Sequence, residues 1–292
     1  MNTRTVVLTI VSLLFVSVSY AYDWKEVGRI MGKKGEEDKG VLLIKYTRDD
    51  LDMKMGDVPV APDLVLDTWY GFWPMSDGTV MQMGDTVVTE AELPAVLEEI
   101  VKQGLEISAV HNHLAGENPR VFFTHLSGHG SAEDVARKAR AVLARTSAPT
   151  KEDKKKKTTS VDWTPITNVL GKPSETEGDI AEYGFVRRER LMMMGSSMPS
   201  TDALETSPDV KFQILPDGCA ISYGEMILTA KEVTPVFRAI TQNGMLVTAL
   251  HNHMLDEEPR LFFMHWWGVG DPAKLAKGVQ AAKDVMNIDK SD

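Results

Sequence analysis

Residues Ala109–Gly130 read AVHNHLAGENPRVFFTHLSGHG, and residues Ala249–Gly270 read ALHNHMLDEEPRLFFMHWWGVG. The offset between the two stretches is 140 positions throughout, so His111, His113 and His125 recur as His251, His253 and His265. The chain has seven histidines, and the seventh, His129, also lies in the first stretch. Self-similarity at a fixed period marks a duplicated structural unit. Confining every histidine to that unit points to chemistry, because imidazole is a common metal ligand and acid/base group.

The duplication spreads outward from these blocks. Gly84-Asp85 matches Gly224-Glu225, Thr89 and Glu92 match Thr229 and Glu232, and Gly104 matches Gly244. Further upstream the offset becomes 139, aligning Trp24 with Trp163 and Gly32 with Gly171. The expected organisation is a signal peptide over 1–21, a first repeat over 22–149, a Lys-rich linker over 150–161 and a second repeat over 162–292. A length of 292 residues suits two domains of about 120–140 residues each.

Each copy carries the same succession of signals. Val80–Val88 reads as a strand, and Thr89 with Glu92 forms a capping box at a helix start. Pro94 sits awkwardly for that cap, and in the second copy Thr234-Pro235 offers another helix start. Gly104 and Gly244 end the helix. Leu105–His113 and Arg120–Leu126 read as two strands joined by a polar turn. Ser131 or Asp271 then caps a last amphipathic helix. The order is a β-rich start followed by β-α-β-β-α. It predicts an α+β fold of two tandem ferredoxin-like repeats, related by a pseudo-twofold axis.

On a strand, alternate side chains share a face, so His111 and His113 point the same way, about 7 Å apart. His125 on the neighbouring strand would complete a three-imidazole site for zinc or another divalent metal, with a fourth position left for water. Such a water becomes a nucleophile near neutral pH. The register decides whether this works. A tight hairpin sets His125 opposite Ser108, with the wrong parity; a bulge or a wider loop sets it opposite Ala109, His111 or His113. The same reasoning gives His251, His253 and His265 a second site. Buried, hydrogen-bonded core histidines are the competing reading.

Other repeated polar residues fit around these blocks. Glu117 and Glu257 lie in the hairpin loops as candidate general bases or fourth ligands, or as solvated carboxylates. Arg120 and Arg260 can hold an anionic substrate or form structural ion pairs. Gly128-x-Gly130 and Gly268-x-Gly270 precede helix starts, where an anion or simply a tight turn would fit. Methionines cluster at Met53 and Met55, Met81 and Met83, and Met192-Met193-Met194. Thioethers with imidazoles select copper(I), although methionine also fills cores.

Residues 1–21 carry Arg4, an apolar run over Val6–Val18, and small residues at Ser19 and Ala21. This pattern predicts a cleaved signal peptide and an exported protein, periplasmic or extracellular, without stable membrane insertion. Cys219 is the single cysteine, so no internal disulfide forms. A net charge of −10 argues against a nucleic-acid partner, which calls for a basic face. The run Lys154–Lys157 reads as part of a solvated linker.

The stretch GEMILTAKEVTPVFRAITQNG, followed by ALHNHMLDEEPRLFFMHWWGVGDPAKLAKGV, resembles the LppY/LpqO family of bacterial exported proteins. The second copy carries the stronger likeness, and the resemblance covers nearly all of the chain beyond residue 21. It implies no reaction, because the family has no established activity. It does not imply a lipid anchor here, because no cysteine lies in the predicted signal segment. The expected function is divalent-metal binding, zinc foremost, with hydrolysis of a small-molecule or envelope substrate. The alternative is a non-catalytic binding module for copper or a small anion.

Overall fold

The computed structural model describes residues 22–150, 161–204 and 206–289. The expected signal peptide and most of the expected linker lie outside the described residues. No helix among the described residues is long and apolar enough to cross a membrane.

The first repeat runs α1 (Lys25–Met31), β1 (Glu36–Asp38), β2 (Val41–Thr47), β3 (Lys54–Met55), β4 (Val58–Pro59), α2 (Pro62–Val65), β5 (Asp67–Pro74), β6 (Val80–Thr89), α3 (Leu93–Lys102), β7 (Glu106–His111), β8 (Glu117–Asn118), β9 (Val121–Gly130) and α4 (Ala132–Leu143). The second runs α5 (Thr164–Leu170), β10 (Glu175–Glu177), β11 (Ile180–Gly184), β12 (Met192–Met193), β13 (Ser196–Ser197), a 3-10 turn (Asp202–Leu204), β14 (Asp209–Ile214), β15 (Ala220–Thr229), α6 (Ala230–Gln242), β16 (Leu246–His251), β17 (Glu257–Glu258), β18 (Leu261–Gly270) and α7 (Pro272–Asp284).

Each repeat builds a six-stranded antiparallel sheet, in the order β1-β2-β5-β6-β9-β7 and β10-β11-β14-β15-β18-β16. Strand β9 lies between β6 and β7, which α3 connects, so this part is the split βαβ unit expected of a ferredoxin-like repeat. The β-rich start supplies β5, β2 and β1, which widen the sheet on the far side of β6.

Strand alternation sorts the side chains into two cores. In β6, Val80 and Val88 join the helices, whereas Met81, Met83 and Val87 face the other repeat. In β9, Leu126 packs under the helices and Phe123 faces the other repeat. Helices therefore cover one face of each sheet, and the other faces meet between the repeats. The result is a layered α/β/β/α body with the duplicated strands at its centre.

Caps form where the sequence places them, with one difference between the copies. Thr229 and Glu232 make the reciprocal capping box of α6, so Pro235 lies inside that helix and Thr234 does not start it. In the first copy the box bonds are present (Thr89 N to Glu92 Oε2, 2.9 Å), but the helix begins at Leu93 and Pro94 falls in its first turn. Ser131 and Asp271 cap α4 and α7. The capping glutamates also neutralise buried cations. Glu92 binds Arg48 at 2.9 Å, and Glu232 binds its equivalent Arg187 at 2.9 Å.

A bulge in β7 between Ile107 and Ala109 reverses the parity of that strand. Ile107 packs under the helices, whereas beyond the bulge Ala109 pairs with His125 and His111 with Phe123. The second copy repeats this between Val247 and Ala249, with Ala249 opposite His265. The two bulge residues then reach across the interface. Ser108 Oγ donates to the His253 carbonyl and Thr248 Oγ1 to the His113 carbonyl, each at 2.6 Å. This exchange between equivalent residues is the pseudo-twofold relation in atomic form.

Candidate metal centre

The facing surfaces of the sheets bring all six repeated histidines into one cluster. His111 stacks on His251 with ring centroids 3.6 Å apart, and His113 on His265 at 3.8 Å. His125 meets His253 edge-on at 4.0 Å. Each of these closest pairings joins one repeat to the other. Within a repeat, the Nε2 atoms of His111 and His125 lie 2.8 Å apart, and those of His251 and His265 3.0 Å.

Two carboxyls that the sequence motifs do not single out complete the cluster. Asp85 Oδ2 is 3.4 Å from His125 Nε2 and 3.7 Å from His113 Nε2. Glu225 Oε2 is 3.2 Å from His265 Nε2. Both carboxyls are buried, as are His113, His125, His253 and His265. Three sets of ligand atoms converge: His111, His113 and His251; Asp85, His113 and His125; Glu225, His251 and His265. Ligand bonds near 2.0–2.1 Å imply separations of about 3.3 Å along the edges of a zinc tetrahedron. The spacings here bracket that value.

The backbone fixes two tautomers. His111 Nδ1 lies 3.2 Å from the Asn112 carbonyl and His251 Nδ1 3.0 Å from the Asn252 carbonyl. A carbonyl only accepts, so Nδ1 carries the proton and the Nε2 lone pair faces the cluster. Histidine ligands in metal centres are commonly oriented by such a bond on the other nitrogen.

Burial also sets the charge state. It holds all six imidazoles below their usual range, with His251 near about 3 and His265 near about 4. Burial pushes Asp85 up to about 7, although His251 and His265 pull the other way. Burial, then the neighbouring Asp85, pushes Glu225 well above the carboxylate range. The rings are therefore neutral, the form that ligates a metal. His113 Nε2 and Asp85 Oδ1 are buried without hydrogen-bond partners, and Glu225 Oε2 has the His265 Nε2 contact at 3.2 Å but no aligned hydrogen bond. Each unpartnered group costs about 1–3 kcal/mol, so two within one cluster mark a place shaped for something other than stability.

A cavity of about 90 Å³ reaches the cluster, lined in part by Asp85, His113, Glu225 and His265, with Tyr223 and Lys211 also on its wall. Tyr223 lies within hydrogen-bond distance of His113 Nδ1, at 2.8 Å.

A family model described as Domain of Unknown Function (DUF1259) matches residues 25–145 and again residues 164–285. The chain belongs to this family. No curated protein gives a significant match. Among solved structures, EtuB from Clostridium kluyveri is 10% identical, with 84% of this chain and 85% of that chain covered and a TM-score of 0.22. The trimeric bacterial microcompartment shell protein PduB is also 10% identical, with 86% and 89% covered and a TM-score of 0.24. Likeness at that level carries no argument about function.

Within this DUF1259 pair, the histidines do not sort into the two separate triads expected from the sequence. His125 and His113 take Asp85 as their third neighbour, and His251 and His265 take Glu225. His111 and His113 join His251 across the repeats, and His253 enters none of the three sets. His129 is exposed, near Asp77.

The loop residues are engaged locally. Glu117 is buried in β8, where Asn112 Nδ2 donates to its Oε1 at 3.2 Å. Glu257 is buried in β17 and accepts from Leu261 N at 2.9 Å and Arg260 Nη1 at 3.2 Å. Arg260 also donates to the carbonyls of Met254 and Leu255, tying down its own hairpin, while Arg120 is exposed. Gly128 and Gly268 are packing positions, where a Cβ would meet Leu105 Cδ2 at 2.5 Å and Met245 Cγ at 2.6 Å.

The sequence does hold a signal for the two acids. Asp85 and Glu225 are matched carboxyls, each the one charged residue of its strand and each directly after a matched glycine. A Cβ at Gly84 would meet Trp69 O at 2.7 Å, and one at Gly224 would press closer still on Asp209 O.

Proposed function

We propose that this protein binds a divalent metal, zinc foremost, in one composite centre built by both repeats. The observation that carries this reading is the convergence of neutral, buried or half-buried imidazoles with the buried Asp85 and Glu225 at ligand spacing. His111, His251, His125, His265 and His113 supply lone pairs, and the two acids supply negative charge once a cation displaces their protons. The cavity beside Asp85, His113, Glu225 and His265 leaves room for water and a small substrate, which favours metal-dependent hydrolysis. On the N-terminal pattern of Arg4, the apolar run and Ser19–Ala21, the work is done outside the cytoplasm, on a small molecule or an envelope component.

The second reading is a binding module without catalysis. The depth of burial favours it: Asp85 and His125 are each 1% exposed, and closed centres are typical of structural rather than catalytic zinc.

Elemental analysis of the purified full-length protein tests the metal. About one or two zinc ions per chain are expected, lost on His111→Ala with His251→Ala. A folded wild-type protein that takes up no divalent metal under any loading condition would sink both readings. A zinc-loaded protein without an exchangeable bound water would favour the binding module over the hydrolase.

A further inference from the structure

His253 is the one repeated histidine outside the converging ligand sets. Its ring lies parallel to Trp69, with centroids 5.7 Å apart. It borders a small pocket of about 10 Å³, on whose wall Met83, Met193 and Met254 also lie. That volume is close to the space of one water molecule or one ion. The three methionines are at most 4% exposed. They come from β6 of the first repeat, β12 of the second and the turn after β16.

The duplication provides an internal control. Two inter-repeat cores flank the cluster and do the same packing work: Ile227, Leu261 and Phe263 in one correspond to Val87, Val121 and Phe123 in the other. Six of the fifteen buried residues in the first are methionine, against one of thirteen in the second. Burial alone therefore does not ask for methionine at Met83 or Met254, whereas Met193 has a methionine counterpart in Met55, each pairing with the matched glutamate of its hairpin. Met83 stands where the other half has Tyr223, and Met254 where it has Leu114. On that other half, Tyr223 hydrogen-bonds His113. Around His253, the exchange has replaced a phenol and an alkyl group with thioethers.

Thioether sulfur is neutral, soft and polarisable, and with imidazole it selects copper(I) over zinc. We propose that Met83, Met193, Met254 and His253 form a soft-metal site for Cu(I), adjoining the imidazole–carboxylate centre and independent of it. Uptake needs no electron transfer, because the ion enters and stays as Cu(I). The site does not rest on the zinc reading: its donors are sulfur and the one imidazole outside the ligand sets, and the carboxyls take no part.

The test uses full-length protein carrying Cys219→Ser, so that any sulfur around the metal is a thioether. Anaerobic titration with Cu(I) against a chromogenic Cu(I) chelator gives stoichiometry, and X-ray absorption gives the donor atoms. One tightly held Cu(I) with sulfur in its first shell is expected. The triple variant M83L/M193L/M254L, which keeps volume nearly constant, should lose that equivalent and the sulfur signal while its zinc content stays unchanged. M83Y, which installs the residue of the other half, should weaken Cu(I) uptake in the same direction. A first shell of nitrogen and oxygen alone in the C219S protein would overturn the proposal, whatever the triple variant does. So would undiminished Cu(I) uptake by the folded triple variant. Neither outcome touches the zinc measurement.

Discussion

His111 and His251, equivalent residues 140 positions apart, lie ring on ring with centroids 3.6 Å apart. A pair of this kind sits at the pseudo-twofold axis, so neither repeat owns it. His251 belongs to two of the three converging ligand sets, one of which contains two histidines of the first repeat. Replacing His251 by Ala is therefore expected to weaken zinc binding across the whole cluster by well over about tenfold. His253→Ala should leave zinc content near that of wild type. Chelator competition on the two purified variants checks this; equal losses would mean that the sets are not the ligands.

Asp85 and Glu225 are buried, Asp85 Oδ1 without a hydrogen-bond partner and Glu225 Oε2 with only the unaligned His265 contact. Asp85→Asn and Glu225→Gln should leave the metal-free protein as stable as wild type or more so, because a neutral amide replaces a costly buried acid. The same changes should weaken zinc binding by at least about 10–100-fold. Thermal melts with and without a chelator read both effects. A large fall in metal-free stability would show that the acids serve the fold.

The pH dependence has a definite sign. Burial holds His251 near about 3 and His265 near about 4 in the folded protein, below the unfolded value of 6.5. Their contribution to stability is complete above pH 6.5 and is lost as pH falls through the folded values. Asp85 runs the other way: raised to about 7 from 3.8, it contributes fully below 3.8, and its contribution is lost as pH rises through 7. Six histidines shift downward, against two raised acids in the cluster. Metal-free stability should therefore fall from pH 7 towards 4. Zinc affinity should also fall on acidification through about pH 7, because the ion competes with the Asp85 proton. Denaturant melts and zinc competition at stepped pH check the two trends.

The crossed hydrogen bonds of Ser108 and Thr248 tie each bulge to the other repeat. Removing either hydroxyl as Ala should cost about 1 kcal/mol, lowering the melting temperature by about 2–4 °C. The two bonds go to different carbonyls, His253 and His113, so the double variant should show roughly additive losses. Circular dichroism melts measure this; no loss in either variant would place the interface energy elsewhere.

Much of the local design is legible in the residues. The parity count around Ser108 shows that a flat hairpin turns His125 away from His111, so a three-histidine site demands a bulge. The bulge lies between Ile107 and Ala109, and His125 pairs with Ala109. The capping box of Thr229 and Glu232 is equally readable, because capping depends on neighbours three residues apart. The alternative start at Thr234 loses to it, since Pro235 is accommodated inside α6.

Spacing along one chain is enough to establish the duplication and the α+β order of each copy, while the face of His125 and of His265 waits on the register that the bulges set. The periods are two in strands, three or four at helix ends, and 140 between copies. Three outcomes lie beyond such counting: the two histidine blocks become one cluster, Asp85 and Glu225 enter it, and His253 lies among methionines instead. They depend on how two sheet faces stack, and residues that meet across such an interface obey no fixed separation in sequence.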